Sequence, residues 1–338
     1  MSSPVSRPSE DTKLARSFYR DSGGAVVRDL SLKELSTCVR EGKGPLWVDI
    51  DTSVRPQLAL LEKVFGFHPL SIEDVMNPSS RAKVEVYDNY LFVVLRAVRL
   101  DEQTTDPYDL ETENIHFFIS QNALVTAHHG PSRLIDSVSE LAVRSTDLIG
   151  RGPGRLAHLV MDAAVDSFFP VLDRIDDFID SLEERVFQEF REEALRDIFA
   201  VKRMVLSLRR YLAPEREIFN VLTNRPSPYL STDMQLYYRD IYDHVLRIND
   251  ALDTYRDLLS STMESYLSQV SNKLGKVTQG LTVVATMSVP FVVVSGMWGM
   301  NFDKIPLKSY PWGFEVMLVL QLALGLGLLW MLRRMRLF

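Results

Sequence analysis

Cysteine is almost absent from this chain: Cys38 is the only one in 338 residues. That excludes an internal disulfide and any site built from several thiolates. The signatures of catalysis are missing too. There is no glycine-rich phosphate loop, no nucleophile elbow and no histidine spacing of a metal hydrolase. The expectation is a protein that is not an enzyme and carries no organic cofactor. Positive charge is in short supply, with 38 Lys and Arg against 45 Asp and Glu and a net charge of -7. A nucleic-acid surface is therefore not expected, whereas a handler of cations fits. Residues Met1 to Asp11 are polar and lack an apolar core. They read as part of a disordered leader, residues 1–20, rather than as a secretory signal.

Most of the chain also lacks long uncharged runs, but the C-terminal end has two. Gly280 to Met297 is 18 residues without a charge, and Phe314 to Leu332 is 19 residues with Glu315 as its one acid. A membrane span needs roughly 20 mainly apolar residues, so both runs read as spans, over 280–298 and 314–332. Lys273 and Lys276 precede the first, and Arg333, Arg334 and Arg336 follow the second in a basic tail, 333–338. The bias of basic residues toward the cytoplasm places both termini there, in a multi-pass protein of the inner (plasma) membrane. Lys304 and Lys308 in the loop weaken that bias without reversing it. Trp298, Tyr310 and Trp312 would lie at the outer interface, and Pro290 would kink the first span mildly.

Upstream, residues 21–154 read as an α/β domain. Leu46 to Ile50 and Val84 to Val94 are β-prone. Ile115 to Ile119 and Ala123 to Ala127 flank Ser120-Gln121-Asn122 as a hairpin, and Ser53 to Phe67 and Leu70 to Met76 look helical. Gly152-Pro153-Gly154 breaks the chain. Residues 155–230 then read as an acidic helical hairpin, with Asp173, Asp176, Asp177, Asp180, Glu183 and Glu184 on a solvated face. Pro214 and Arg225-Pro226-Ser227-Pro228 are expected to end it. His128 and His129 are adjacent, so on a strand they point apart, and they read as surface residues.

From 231 to 279 the pattern is the most regular in the chain. Apolar residues fall at Ile241, Val245, Ile248, Leu252, Tyr255, Leu259, Met263, Tyr266, Val270, Leu274, Val277 and Leu281. The step averages about 3.6 residues, the period of an undistorted helix. One helix from Asp233 to Met297 would be about 100 Å long. It cannot hide that stripe alone, so the preceding hairpin or other copies of the chain must cover it.

The first span runs into Gly299-Met300-Asn301. At the outer end of the first of two C-terminal spans, this tripeptide resembles the signature of the CorA family of magnesium transporters. Supporting landmarks are YLSQVSNK (Tyr266 to Lys273), FHPLSIEDV (Phe67 to Val75) and RDIYDH (Arg239 to His244). The resemblance runs from about residue 60 to the C-terminus. It implies a funnel-shaped homopentamer in the lipid bilayer, with an α/β cytoplasmic domain, a stalk helix continuing into a pore-lining span, and a second span outside. It also implies a channel for Mg²⁺, with Co²⁺ and Ni²⁺, gated by cytoplasmic Mg²⁺. Gly299, Met300 and Asn301 would form the selectivity filter. Gly275, Thr278, Leu281, Val289 and Val292 would line the pore, with Leu281 and Val289 as hydrophobic constrictions. Asp74 and Asp240, with Glu73 and Asp162 beside them, would hold the regulatory ion. The external loop, 299–313, keeps Asp303. However, Val292 and Leu307 stand where family members often have a threonine and an acid, so the outer mouth is less acidic. Two readings stay open beside this one: a zinc-transporting or efflux member of the same superfamily, and a membrane-anchored sensor or scaffold that moves no ion.

Overall fold

The computed structural model describes residues 14–21, 23–42, 44–101, 104, 106–188, 192–301, 305–307 and 309–334. It divides into two compact units, Met1–Arg185 with Glu192–Thr262, and Val186–Arg191 with Met263–Phe338.

The first unit opens with β1 (Arg16–Arg20) and β2 (Val26–Arg28), followed by α1 (Leu32–Glu41), β3 (Leu46–Asp51), α2 (Arg55–Lys63) and α3 (Pro69–Met76). Next come β4 (Lys83–Val86), β5 (Leu91–Leu100), β6 (Leu110–Ile119) and β7 (Ala123–His128). Helices α4 (Arg133–Arg144), α5 (Thr146–Gly150), α6 (Pro153–Asp166), α7 (Phe168–Gln188) and α8 (Glu192–Asn224) follow, then α9 (Met234–Trp298) and α10 (Gly313–Arg334). The seven strands form one sheet in the order β2-β1-β3-β7-β6-β5-β4. All neighbours are antiparallel except β3 and β7. Local chemistry marks the element ends. Ser31 and Glu34 form a reciprocal capping box on α1, which stops at Gly42 in the left-handed region (φ 61°), where a side chain would be strained.

Three sequence expectations change. Residues 16–20, assigned to the leader, are β1, because Phe18 is buried and stacks on Trp47 at 5.1 Å. Pro214 does not end a helix. It lies inside α8, and the cost of its missing N–H is offset by burial of Leu212, Ile218 and Phe219 around it. The two histidines do point apart, but only His129 is exposed. His128 is 5% exposed and pairs with Asp49 at 3.3 Å, while Asp49 accepts from Thr126 at 2.7 Å. Burial pulls His128 down, yet Asp49 and Glu113 outweigh it and raise its pKa.

Along α9 the apolar stripe is buried at Ile241, Val245, Ile248, Leu252, Leu259 and Tyr266. Beyond that point cover stops: Leu274, Val277 and Leu281 are 65%, 63% and 70% exposed.

One buried acid explains how α8 is fixed to the sheet. Strand β4 pairs with β5 only as far as Val94, leaving the next N–H groups of that edge without a strand partner. The Arg96 N–H donates to Glu215 Oε1 of α8 at 2.7 Å, and the Val98 N–H donates to Ser167 Oγ at 3.0 Å. Glu215 is 1% exposed and its Oε2 has no partner. Burial raises its pKa to about 8, with the Arg96 N–H and guanidinium acting in the opposite direction. The folded chain therefore keeps a proton that the unfolded chain releases near pH 4.5, the ordinary carboxyl value. Its stabilising effect is complete at low pH and is lost as pH rises toward 8. Thermal denaturation from pH 5 to 8 should show stability falling by on the order of 1 kcal/mol per pH unit from this group. Glu215→Gln keeps the acceptor for Arg96 and should flatten that slope; an unaltered slope would contradict the assignment.

Candidate functional site

Two sites emerge, one in each unit. In the second unit, α9 and α10 are both long and apolar enough to cross a membrane. They meet on one side of α9. Gln321 donates to Ser295 Oγ at 3.2 Å, and Gly325 lies so close to Phe291 that an added Cβ would sit 2.7 Å from the ring. Glycine allows that approach, as small residues do in membrane helix pairs. A cavity of about 250 Å³ between the two helices is lined by Phe291, Val294, Trp298 and Leu324.

The residues expected to line a pore lie on the other side of α9. At about 100° per residue, Gly275, Thr278, Leu281, Val289 and Val292 share one arc, facing away from the α10 contacts. All five are exposed, Leu281, Val289 and Val292 at 70%, 58% and 68%. Pro290 lies within α9, which remains continuous through it. The helix ends at Trp298, so Gly299, Met300 and Asn301 begin where regular hydrogen bonding stops. The Gly299 N–H still donates to the Ser295 carbonyl at 3.0 Å, and Asn301 is exposed. Asp303 lies outside the described residues.

The second site is on α6 and α9 in the first unit. Asp162, Asp166 and His244 each bring one ligand atom within 4.8 Å of the others. His244 Nδ1 lies 2.9 Å from Asp166 Oδ1 and 4.0 Å from Asp162 Oδ1. The imidazole packs edge-on against Phe169 at 5.6 Å. Asp162 Oδ1 is buried without a hydrogen-bond partner. Burial, then Asp166 and Asp240, push the Asp162 pKa up, while His244 and Arg155 pull it down. A buried acceptor without a hydrogen bond, in a cluster of two carboxylates and an imidazole, is a site short of positive charge, and a divalent cation fits it. Carboxylate oxygens suit Mg²⁺; the imidazole nitrogen also admits transition metals.

Of the four expected regulatory residues, Asp162 is in this centre; Asp240 lies one turn before His244 on an exposed face, outside the cluster, and reaches Asp162 through its charge. Glu73 and Asp74 are on α3. Glu73 is exposed, and Asp74 pairs with Lys83 at 2.6 Å. Asp166 and His244 were not singled out from sequence. Their signal was present in two i, i+4 pairs, Asp162/Asp166 and Asp240/His244, which place donors on single helix faces.

Comparison with known proteins gives the family. The model of the CorA-like Mg²⁺ transporter protein family matches residues 42–334. This chain belongs to that family. The cobalt/magnesium transport protein CorA of Thermotoga maritima is 33% identical over 281 residues, 82% of this chain and 79% of that protein. The complete structure of the CorA magnesium transporter from Methanocaldococcus jannaschii superposes with a TM-score of 0.82 at 20% identity, covering 95% of this chain and 98% of that one. The zinc transport protein ZntB of Yersinia enterocolitica also matches, at 22% identity over 93% of both chains. The chain is therefore a CorA-family divalent-metal transporter and not an enzyme, with the α/β domain, long helix and two C-terminal apolar helices of that fold.

Proposed function

We propose that this chain assembles as a homopentamer in the plasma membrane and conducts Mg²⁺, with Co²⁺ and Ni²⁺, through a path lined by α9. The observation that carries the reading is the uncovered face of α9. Its own α10 packs on the opposite side, so Leu281, Val289 and Val292 require other copies or the ion path itself. Mg²⁺ sheds water reluctantly and prefers octahedral oxygen at about 2.0–2.1 Å. A ring of Asn301 amide oxygens and nearby carbonyls would hydrogen-bond the ion's water shell without stripping it. A carboxylate ring would bind harder and release more slowly, and conduction requires release. Below it, Leu281 and Val289 rings would close the path by dewetting. Both chain ends lie in the cytoplasm in this reading, and Gly275 and Thr278 line the cytoplasmic approach.

Cytoplasmic Mg²⁺ closes the path by binding between copies. Asp74 and Glu73 of one copy face Asp240 and Asp162 of the next, with Asp166 and His244 completing the cluster. Two carboxylates about 4 Å apart repel by roughly 4 kcal/mol at an effective dielectric of 20, so an empty site pushes copies apart. Moving a channel from 99% open to 99% closed needs about 5.5 kcal/mol. Divided over five sites, that is about 1 kcal/mol each, within reach of weak binding that senses cellular Mg²⁺. The donor set with His244 gives substance to a second reading, transport or sensing of Zn²⁺, which the same flux assay distinguishes.

Asn301→Ala should abolish Mg²⁺ flux into liposomes while leaving the assembly intact by size-exclusion chromatography; wild-type flux through this variant would remove the filter assignment. Asp240→Ala should still conduct but need several-fold more internal Mg²⁺ for half-inhibition. Closure at the wild-type concentration would mean the sensor lies elsewhere.

A further inference from the structure

The polar face of α6 extends beyond the metal centre. Arg155, His158, Asp162 and Asp166 follow one another at steps of three, four and four residues, all toward α9. At one end lies a shortage of positive charge, with Asp162 Oδ1 buried and unpartnered. At the other end lies a cation with unspent donors. Arg155 Nε and Nη1 are buried and make no hydrogen bond among the described residues. The guanidinium instead lies over the Tyr237 ring, 3.9 Å from its centroid, a cation–π seat. A buried guanidinium normally spends its five donors on carboxylates or carbonyls. Here two of its three nitrogens make no hydrogen bond, although Asp162 and Asp166 stand on the same face of α6.

His158 cannot supply the missing charge. It is 5% exposed, packed edge-on against Tyr237 and Tyr238. Burial and then Arg155 hold its pKa down to about 4. Beside His244, Arg155 is the cation that pulls the Asp162 pKa down. It is seven residues away on α6, about 10 Å along the axis. Among the described residues no ion pair joins the two, and the guanidinium acts on Asp162 through a field that burial leaves poorly screened.

We propose that Arg155 is a tethered counter-cation for the Asp162–Asp166–His244 centre, and that its fixed charge sets how much divalent cation the centre requires. The proposal rests on reading that centre as the inhibitory Mg²⁺ site. In the ion-free state the guanidinium offsets part of the repulsion among Asp162, Asp166 and Asp240. When a divalent cation enters, the same charge opposes it. Tyr237 holds the guanidinium out of direct contact, so it weakens binding without filling the site. A guanidinium stays charged at every physiological pH, so this offset is constant.

The test is a Mg²⁺ titration of the full-length protein, read as protection from limited proteolysis in detergent and as inhibition of flux by internal Mg²⁺ in liposomes. Arg155→Met keeps an unbranched stem against Tyr237 and removes the charge. It should lower the midpoint of both readouts at least threefold, the least expected for one charge on the order of 10 Å from a divalent ion even at the dielectric of water. Arg155→Lys, which keeps the charge, should stay within about twofold of wild type, and the gap between wild type and Arg155→Met should narrow at high salt. An Arg155→Met midpoint that is unmoved or raised overturns the proposal. So does an equal shift in Arg155→Met and Arg155→Lys, which would assign the effect to packing. Asp162→Asn separates the two levels. If it raises the midpoint while Arg155→Met does not change it, only the role of Arg155 fails; if neither variant moves it, the centre is not the inhibitory site.

Discussion

The rest of the structure depends on covering one apolar stripe on a 65-residue helix. Along its first part the chain covers the stripe itself. Ile241, Val245, Ile248 and Leu252 are fully buried, each removing on the order of 1.5–3 kcal/mol of side chain from water. From Leu274 to Leu281 the same period continues on residues that are mostly exposed. The helix meets two environments, the chain's own helices first and then a stretch apolar enough to cross a membrane. A family whose members are membrane transporters accounts for both.

The polar groups on that helix and its neighbours follow the same division. His244 comes from the covered part, and opposite it on α6 the Asp162 Oδ1 is buried, where an unpaired charge is costly. There Asp162 and Asp166 gather with the His244 imidazole, and a guanidinium lies over Tyr237. Near the far end the helix offers neutral groups only, ending in Gly299, Met300 and Asn301. Strong charges where an ion should be held, and neutral oxygens where it should pass, are what binding and conduction separately require.

Much of this was legible in the sequence, for reasons particular to each element. The stripe from Ile241 to Leu281 repeats over about eleven turns, so its helix could not be mistaken. The hairpin of β6 and β7 was marked by polar turn residues between two alternating runs. Other features were hidden because tertiary contacts decide them. Pro214 reads as a helix end, yet packing carries α8 through it. Residues 16–20 read as leader because a five-residue strand has too little periodicity to show. The pairing of Glu215 with the β5 edge, and of His128 with Asp49, joins residues 119 and 79 positions apart, which no local pattern reveals. Asp166 and His244 were visible as i, i+4 partners, but which helix faces meet is fixed only by the fold.

Because α10 occupies one side of α9, the opposite side is predicted to line the ion path. With Cys38→Ser as background, single cysteines at Val292 and at Phe291 compare the two faces in one flux assay with a charged thiol reagent. The reagent should block Mg²⁺ flux through Val292→Cys and leave Phe291→Cys conducting. Block at Phe291→Cys with Val292→Cys untouched would contradict the account.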